Sequence, residues 1–524
     1  MLMSNKKSLP QVGLFNKLKV KTTREIRRKS LGSQGVFETI LTSKSGIKMA
    51  RDVSATAAMM QITSAAYSVP AYGDLLTNTD WGDDHSLPLQ ERIKLLPETD
   101  KKGYINNYTI AERCHGGLIP IIGAEIDESS GSSGKPYNWI RGTAELNEMR
   151  RTLSRLATFL YGPNIVTING FSMGAWATGT NVSMSLARNG LIKSTGPDPE
   201  KMLSVFEMTG KDRTYVITGY PPFMLELIEF GLKQNFPWKN YRMVAIVGGE
   251  AMSETLRSRL LEYFEIVTSA YGASDLDIGV ACEFPVSTWI RQQAQKNPAL
   301  AAKLFGDDRR LPMLFQYDPL DYYIEQNEGG ELIVTVNRPN ALSPRLRYNV
   351  HDIGGRLDFD EVIEICKSFG LDPLNEAALP YGGKHPSLPF LYIGGRSDST
   401  MSYLGANIYP EDVEQAIFGD APESEKGLIK GFAMELVEHK DGQPQPCVYI
   451  ELGEGKNKDS VDPKAISKRV VHRLTENSRD FKTSITEDPK AGDINVNIYE
   501  HNTGPFEGMG ERIKRKYIIT TPKA

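Results

Sequence analysis

Glu128-Ser129-Ser130-Gly131-Ser132-Ser133-Gly134-Lys135-Pro136 is the stretch of this chain best equipped for chemistry. Its two glycines, four hydroxyls and one lysine fall within a few positions of each other. Glycine permits positive φ and lets backbone N–H groups approach an anion closely. The hydroxyls can donate to phosphate oxygens, and the lysine adds a point charge. Such a loop suits a polyphosphate. It is not a Walker A loop, which requires glycine where Ser129 stands and a hydroxyl residue where Pro136 stands. By composition alone it could equally be a flexible surface connection.

Three further segments carry polar chemistry behind apparent strands. Gly248-Gly249-Glu250 follows the apolar run Met243–Val247, and a glycine pair there lets a flat ring lie against backbone. Tyr271-Gly272-Ala273-Ser274-Asp275 follows Ile266 and should reach the carboxyl edge of a parallel sheet, where open α/β sheets bind ligands. It supplies an aromatic ring for stacking and an acid for a divalent cation. The last segment comprises Arg345–Gly354 and Gly394-Gly395-Arg396-Ser397-Asp398. A carboxylate such as Asp352 suits ribose hydroxyls, and an arginine can brace sugar and phosphate. Each piece, in isolation, also reads as an ordinary turn or helix cap.

The elements that must position these groups alternate. Tyr137–Ile140, Ile165–Ile168, Met243–Val247 and Ile266–Tyr271 read as strands, and Leu118–Ile126 as an apolar run leading into the Ser/Gly loop. Thr143–Leu160 and Ser253–Phe264 have apolar residues at helical spacing. The alternation predicts an α/β domain with parallel strands. After Phe390–Ile393 the pattern changes to a small α+β unit, with strands at Phe432–Val437, Cys447–Leu452, Asn495–Tyr499 and Ile513–Ile519, and helices at Tyr409–Ile417 and Lys464–Leu474. The division is placed at residues 1–395, a hinge at 396–398, and 399–524.

A chain of 524 residues exceeds one ordinary core, in keeping with two domains. The net charge of −4 gives no reason to expect a nucleic-acid partner. Residues 1–35 are basic and lack an apolar signal core, so a solvated arm is expected there. No apolar stretch is long enough to cross a bilayer; Ala55–Val69 comes nearest and reads as a buried helix. Cys114, Cys282, Cys366 and Cys447 are scattered, without disulfide or zinc spacing, which fits a reducing cytoplasm. A homodimer is compatible with the sequence.

In this order and spacing the four segments resemble the adenylate-forming superfamily of acyl-CoA synthetases, in particular its phenylacetate–CoA ligase-like branch. The resemblance runs from about residue 60 onward. It implies a large N-terminal adenylate-forming domain and a small mobile C-terminal lid, with ATP and Mg2+ as requirements and coenzyme A as co-substrate. Ser129–Pro136 resembles the phosphate loop, with Lys135 catalytic. Gly248, Gly249, Glu250, Tyr271, Gly272, Ala273 and Ser274 match adenine-side segments, Asp275 the magnesium-holding acid, Asp352 and Arg396 the ribose contacts, and Asp398 the hinge. Gly405–Pro410 resembles the turn opening the C-terminal domain. The acyl pocket is expected at Phe171, Met173 and Trp176. The implied reaction joins a small-molecule carboxylate to ATP and passes the acyl group to a nucleophilic acceptor.

The chain also departs from that pattern. Asp275 replaces the commoner glutamate, and His351 stands where glycine usually precedes the aspartate; its ring is expected to face out of the site. Near the C-terminus either Arg512 or Lys514 must supply the charge of the usual catalytic lysine. Three other readings stay open. One keeps adenylation but uses an amine, a carrier-protein thiol or another acceptor. Another is a nucleotide-sensing protein without turnover. The third is a serine hydrolase, because Gly170-Phe171-Ser172-Met173-Gly174 satisfies the nucleophile-elbow pattern, with Asp275 or Asp352 as acid and His385 or His439 as base.

Overall fold

In this computed structural model, residues 9–82, 84–129, 137–173, 177–249, 251–306, 311–397, 401–403, 406–438, 444–478, 481–482, 485–486 and 489–507 are described. The chain divides into two compact units. One comprises Met1–Gly249, Leu261–Ile290 and Leu314–Ile393; the other comprises Glu250–Leu260, Arg291–Met313 and Gly394–Ala524.

The first unit is built on strands β1 (Ala124–Ser129), β2 (Tyr137–Gly142), β3 (Ile165–Asn169), β4 (Gly190–Ser194), β5 (Thr214–Gly219), β6 (Arg242–Gly248) and β7 (Ile266–Ala273). These are followed by β8 (Asp277–Cys282), β9 (Met313–Tyr317), β10 (Tyr322–Gln326), β11 (Glu331–Val336), β12 (Tyr348–Leu357) and β13 (Phe390–Arg396). All but β1 and β2 join one mixed sheet of order β10-β11-β12-β13-β9-β8-β7-β6-β5-β3-β4. From β4 to β7 the pairings are parallel; β7–β8 and β8–β9 are antiparallel, as are β10–β11 and β11–β12. Every residue of β3 is buried, as expected for a parallel strand covered on both faces. The covering helices start at clear signals. Asp198 caps Pro199–Thr209 by accepting from the Lys201 N–H, and Pro221 opens Pro221–Lys233 with its fixed φ.

Two expectations need correction here. The apolar run 118–126 is a strand only from Ala124, and that strand pairs antiparallel with β2 in a separate hairpin. Pro120 and Gly123, at φ +76°, interrupt the earlier part, and Ile121 and Ile122 are exposed. Over residues 9–35 the basic N-terminal stretch is not a solvated arm. Leu14–Ser30 is a helix whose Val20, Thr23, Arg27 and Ser30 are buried. Arg27 pairs with Asp318 and lies over the Phe37 ring at 5.1 Å; Arg24 donates to the Leu320 carbonyl at 2.9 Å and to the Asn337 carbonyl. Two of the basic residues, Arg24 and Arg27, thus satisfy acceptors inside the unit, while Lys19, Lys21, Arg28 and Lys29 are exposed.

The second unit contains β14 (Met401–Tyr403), β15 (Ala406–Ile408), β16 (Ile429–Glu438), β17 (Pro444–Leu452) and β18 (Asn495–Tyr499). β16–β17 is antiparallel and β17–β18 parallel. Ile466, Val470 and Leu474 recur every fourth residue along the helix Pro463–Asn477 and pack with Phe432, Met434, Val448 and Ile450. The helix expected at Tyr409–Ile417 is Pro410–Glu414 followed by a wide turn, Gln415–Gly419. The helix expected at Ser253–Phe264 is shorter, Glu254–Leu260, with Arg257 fully buried against Glu254 at 2.9 Å and Arg291 on the same carboxylate. The strand expected at Ile513–Ile519 lies outside the described residues. Among the described residues, no helix is long and apolar enough to cross a membrane.

The Arg27–Asp318 pair makes the helical assignment of the N-terminal stretch testable. Arg27→Ala strands a buried carboxylate and should lower unfolding free energy by about 3–5 kcal/mol in denaturant titrations. A solvated arm would show a change near zero.

Candidate active site

The hairpin β1–β2 holds the ends of the Ser/Gly loop together, because Ser129 is paired with Tyr137. The loop residues Ser130, Gly131, Ser132, Ser133, Gly134 and Lys135 lie outside the described residues. The hairpin's stem carries a residue that the sequence did not single out. Arg141, on β2, is buried. It donates to Asp127 on β1 at 2.9 Å, to the Leu276 carbonyl at 2.9 Å and to the Ser274 carbonyl at 2.6 Å. One guanidinium therefore ties the phosphate-loop hairpin to the Tyr271–Asp275 segment. Arg345 holds the same turn from another side, donating to the Asp275 carbonyl at 3.3 Å and the Ser343 carbonyl at 2.6 Å. Burial and the neighbouring Arg141 charge lower the Arg345 guanidinium to about 10. The planar, multi-donor guanidinium makes such bracing of several carbonyls feasible.

The Tyr271–Asp275 segment sits where its spacing predicts. Gly248 at the end of β6 is in register with Ala270 of the parallel β7, so Tyr271 onward runs past the carboxyl edge of β6. Tyr271, Gly272 and Ala273 are the last residues of β7, and Ser274 and Asp275 lie in the tight connection to β8, closed by the Leu276 N–H donating to the Ala273 carbonyl at 2.9 Å. Gly272 is required by close approach: a Cβ there would meet the Ile278 carbonyl oxygen at 2.4 Å. On β6, a Cβ at Gly248 would lie 3.0 Å from the Ala270 carbonyl oxygen, and Gly249 adopts φ +83°. Glu250 lies outside the described residues.

Long-range pairing brings the acids to this edge. The Tyr271 hydroxyl donates to Asp352 Oδ2 at 2.5 Å, and its ring is tilted against Phe315 at 5.9 Å. Tyr348, earlier on β12, donates to Asp275 Oδ2 at 3.1 Å. Burial, reinforced by the Asp275 charge, raises the Tyr348 phenol well above its usual range, so it stays a donor. Lys101 Nζ lies 3.3 Å from the same Asp275 oxygen. Both carboxylates are buried, and the backbone at His351, between Tyr348 and Asp352, has φ +61°. That left-handed value is one that glycine adopts freely, and here an imidazole occupies it. The ring is half-buried; its Nδ1 lies 3.2 Å from Glu331 and its Nε2 3.6 Å from Asp100.

Of the expected acyl-pocket residues, Phe171 is buried, edge-on to Tyr220 at 5.3 Å, and its Cζ would lie 3.7 Å from a Cβ at Gly248. Met173 is exposed, and Trp176 lies outside the described residues. Asn169, which sequence reasoning missed, fixes the Phe171 backbone: its Oδ1 accepts from the Phe171 N–H at 3.1 Å and the Thr218 hydroxyl at 2.8 Å, while Nδ2 donates to the Gly179 carbonyl at 2.8 Å. A polar residue ending the apolar β3 was the available signal. The elbow reading of Ser172 finds no base among the described residues: its buried hydroxyl has no hydrogen-bond partner there, so His385 does not bond it. His439 lies outside the described residues. Arg396 ends β13, with only its backbone described; Asp398, Arg512 and Lys514 lie outside the described residues.

A solved structure of 2-hydroxyisobutyryl-CoA ligase in its postadenylation state, in complex with 2-HIB-AMP, superimposes with a TM-score of 0.61 over 90% of this chain and 89% of that one, at 12% identity. The chain has the fold of adenylate-forming enzymes. The same ligase with 2-HIB-AMP and CoA in the thioesterification state gives a TM-score of 0.51, again at 12% identity and over 90% of this chain and 89% of that one. No family profile and no curated protein matches the chain.

The close approach at Gly272 yields a direct test of the β7–β8 geometry. Gly272→Ala should destabilise the protein by about 1–3 kcal/mol in thermal or denaturant unfolding, because backbone rather than a flexible side chain must move. An unchanged midpoint would show that the turn has room.

Proposed function

We propose that this protein is an AMP-forming carboxylate ligase. The observation that carries the reading is the convergence, at one sheet edge of this fold, of the Tyr271–Asp352 pair, the Asp275 turn and the stem of the Ser/Gly loop. In the proposed first half-reaction a substrate carboxylate oxygen attacks the α-phosphorus of ATP, and pyrophosphate leaves. In the second, a nucleophile attacks the acyl carbonyl, and AMP leaves with the bond's electron pair.

The residues divide the work. Asp352 would accept from ribose hydroxyls, its position set by the Tyr271 hydroxyl; the Tyr271 ring and the Gly248-Gly249 backbone would flank the base. Lys135 and the loop hydroxyls would bind the phosphates, and Arg396 would add a ribose contact. Arg512 or Lys514 would approach the α-phosphate from residues 399–524, a lid turning about 396–398 through Asp398. The donor set also fits a divalent cation: Asp275 offers one buried carboxylate, and magnesium is usually held by one or two carboxylates plus phosphate and water. Bound there, the ion would offset charge on the phosphates. Phe171, Met173 and Trp176 are proposed to border the acyl group, with an aryl or aliphatic acid as substrate.

Coenzyme A is the acceptor proposed first, because the solved ligase of the same fold was captured with CoA. The phenylacetate–CoA ligase-like subtype rests on the motif resemblance alone. Transfer to an amine or carrier thiol is the remaining variant.

Pyrophosphate release should be measured from ATP and Mg2+ with a panel of aryl and aliphatic carboxylates, with and without coenzyme A. Release that depends on a single acid is expected, with thioester formed when coenzyme A is present. ATP binding without release for any acid would favour the sensing reading instead. Lys135→Ala should lower the rate of pyrophosphate formation roughly 10²-fold or more, as loss of a charge-stabilising group does. Asp352→Ala should weaken ATP binding about tenfold in calorimetry; intact affinity would remove the ribose assignment.

A further inference from the structure

Residues 98–103 belong to none of the strands, yet one of them is held as firmly as a strand residue. Thr99 is buried and bridges Tyr348 in parallel fashion. Its N–H donates to the Arg347 carbonyl at 2.9 Å, its carbonyl accepts from the Asn349 N–H at 2.7 Å, and its hydroxyl donates to the Leu346 carbonyl at 2.8 Å. The following two side chains diverge. Asp100 lies 3.6 Å from His351 Nε2, and Lys101 Nζ reaches 3.3 Å from Asp275 Oδ2. Two departures from the resembled pattern, aspartate at 275 and histidine at 351, therefore face one segment. A carboxylate shorter by one methylene leaves space for an ammonium beside it, and the imidazole gives the neighbouring acid a partner.

This arrangement places a resident cation on the carboxylate proposed above for a divalent ion. We propose that Lys101 and a divalent cation compete for Asp275, so that metal and nucleotide binding are coupled. The inference rests on the ligase reading of the site. A bare cation arriving at Asp275 must displace Lys101 or sit beside its positive charge. When a polyphosphate arrives with the cation, its oxygens offer the displaced ammonium a new acceptor, and the opposition disappears. Lys101 is one-third exposed and can move without disturbing the core; Asp275 is held by Tyr348 and by the Arg345 contact to its carbonyl. By linkage, the factor by which nucleotide tightens metal binding equals the factor by which metal tightens nucleotide binding.

The test uses the full-length protein with Mn2+ as probe, read by electron paramagnetic resonance, with and without a non-hydrolysable ATP analogue. Wild type, Lys101→Met, Lys101→Arg and Asp275→Asn are compared after circular dichroism confirms folding. Competition predicts weak Mn2+ binding by the wild type alone and tighter binding with the analogue. Lys101→Met should raise the nucleotide-free Mn2+ affinity about two- to fivefold and shrink the coupling, since a partly exposed ion pair has a modest strength. Lys101→Arg should retain the wild-type pattern, and Asp275→Asn should abolish specific Mn2+ binding in either background. Unchanged or weaker nucleotide-free Mn2+ binding in Lys101→Met overturns the proposal. If the analogue itself still binds in that case, only the competition falls; if it binds none of the proteins, the ligase reading falls with it.

Discussion

A buried guanidinium fastening separate pieces of backbone is the constraint on which the candidate site depends. Arg141 sits on the hairpin that carries the Ser/Gly loop, yet two of its three acceptors are carbonyls of the turn after β7. Burying a cation is costly unless its donors are satisfied, and here Asp127 supplies the countercharge while each terminal nitrogen donates to one carbonyl. The same satisfaction makes the connection directional. Any shift of the turn relative to the hairpin would leave the buried guanidinium with Asp127 alone and two of its three bonds unmade. Arg345 completes the frame less fully: its Nη2 has no hydrogen-bond partner among the described residues, which agrees with the lowered pKa.

Around that frame the aromatic hydroxyls act as spacers for the acids. Tyr271 and Tyr348 each present one phenol to one carboxylate, which sets the positions of Asp352 and Asp275. On Asp275 the phenol is joined by the partly exposed Lys101 ammonium, a looser partner than a buried guanidinium. The contrast lies in the same unit: Asp277, two residues from Asp275, is fully committed to Arg338 and Tyr322. Arg338 is the largest influence holding the Asp277 carboxyl below its ordinary range against the cost of burial. One acid of the pair is committed to a buried arginine; the other meets a phenol and a partly exposed lysine.

Much of the architecture was legible beforehand because it depends on local periodicity. Buried runs such as Ile165–Ile168 and Met243–Val247 have few alternatives to parallel strands, and Thr143–Leu160 has apolar residues at helical spacing over several turns. The failures have a common cause. Leu118–Ile126 is apolar enough for a strand, but Pro120 and Gly123 break it and the pairing partner lies only beyond Ala124. The basic N-terminal stretch looked like a solvated arm because Arg24 and Arg27 are indistinguishable in sequence from surface arginines. Asp318 and the carbonyls that receive them lie nearly three hundred residues away.

The sequence by itself determined the order of the motifs, the alternation of elements, and the glycines whose lack of a side chain the close approaches at 248 and 272 demand. These are properties of neighbouring residues, and short-range sterics and periodicity impose them directly. Tertiary structure alone decided the pairings: Tyr271 with Asp352, Lys101 with Asp275, Arg141 with the 274–276 turn. It also decided which charged residues are buried and that Ser172 and His385 do not meet. Such contacts join residues tens to hundreds of positions apart, and their strength depends on desolvation, which no residue carries in its identity until the chain has closed around it.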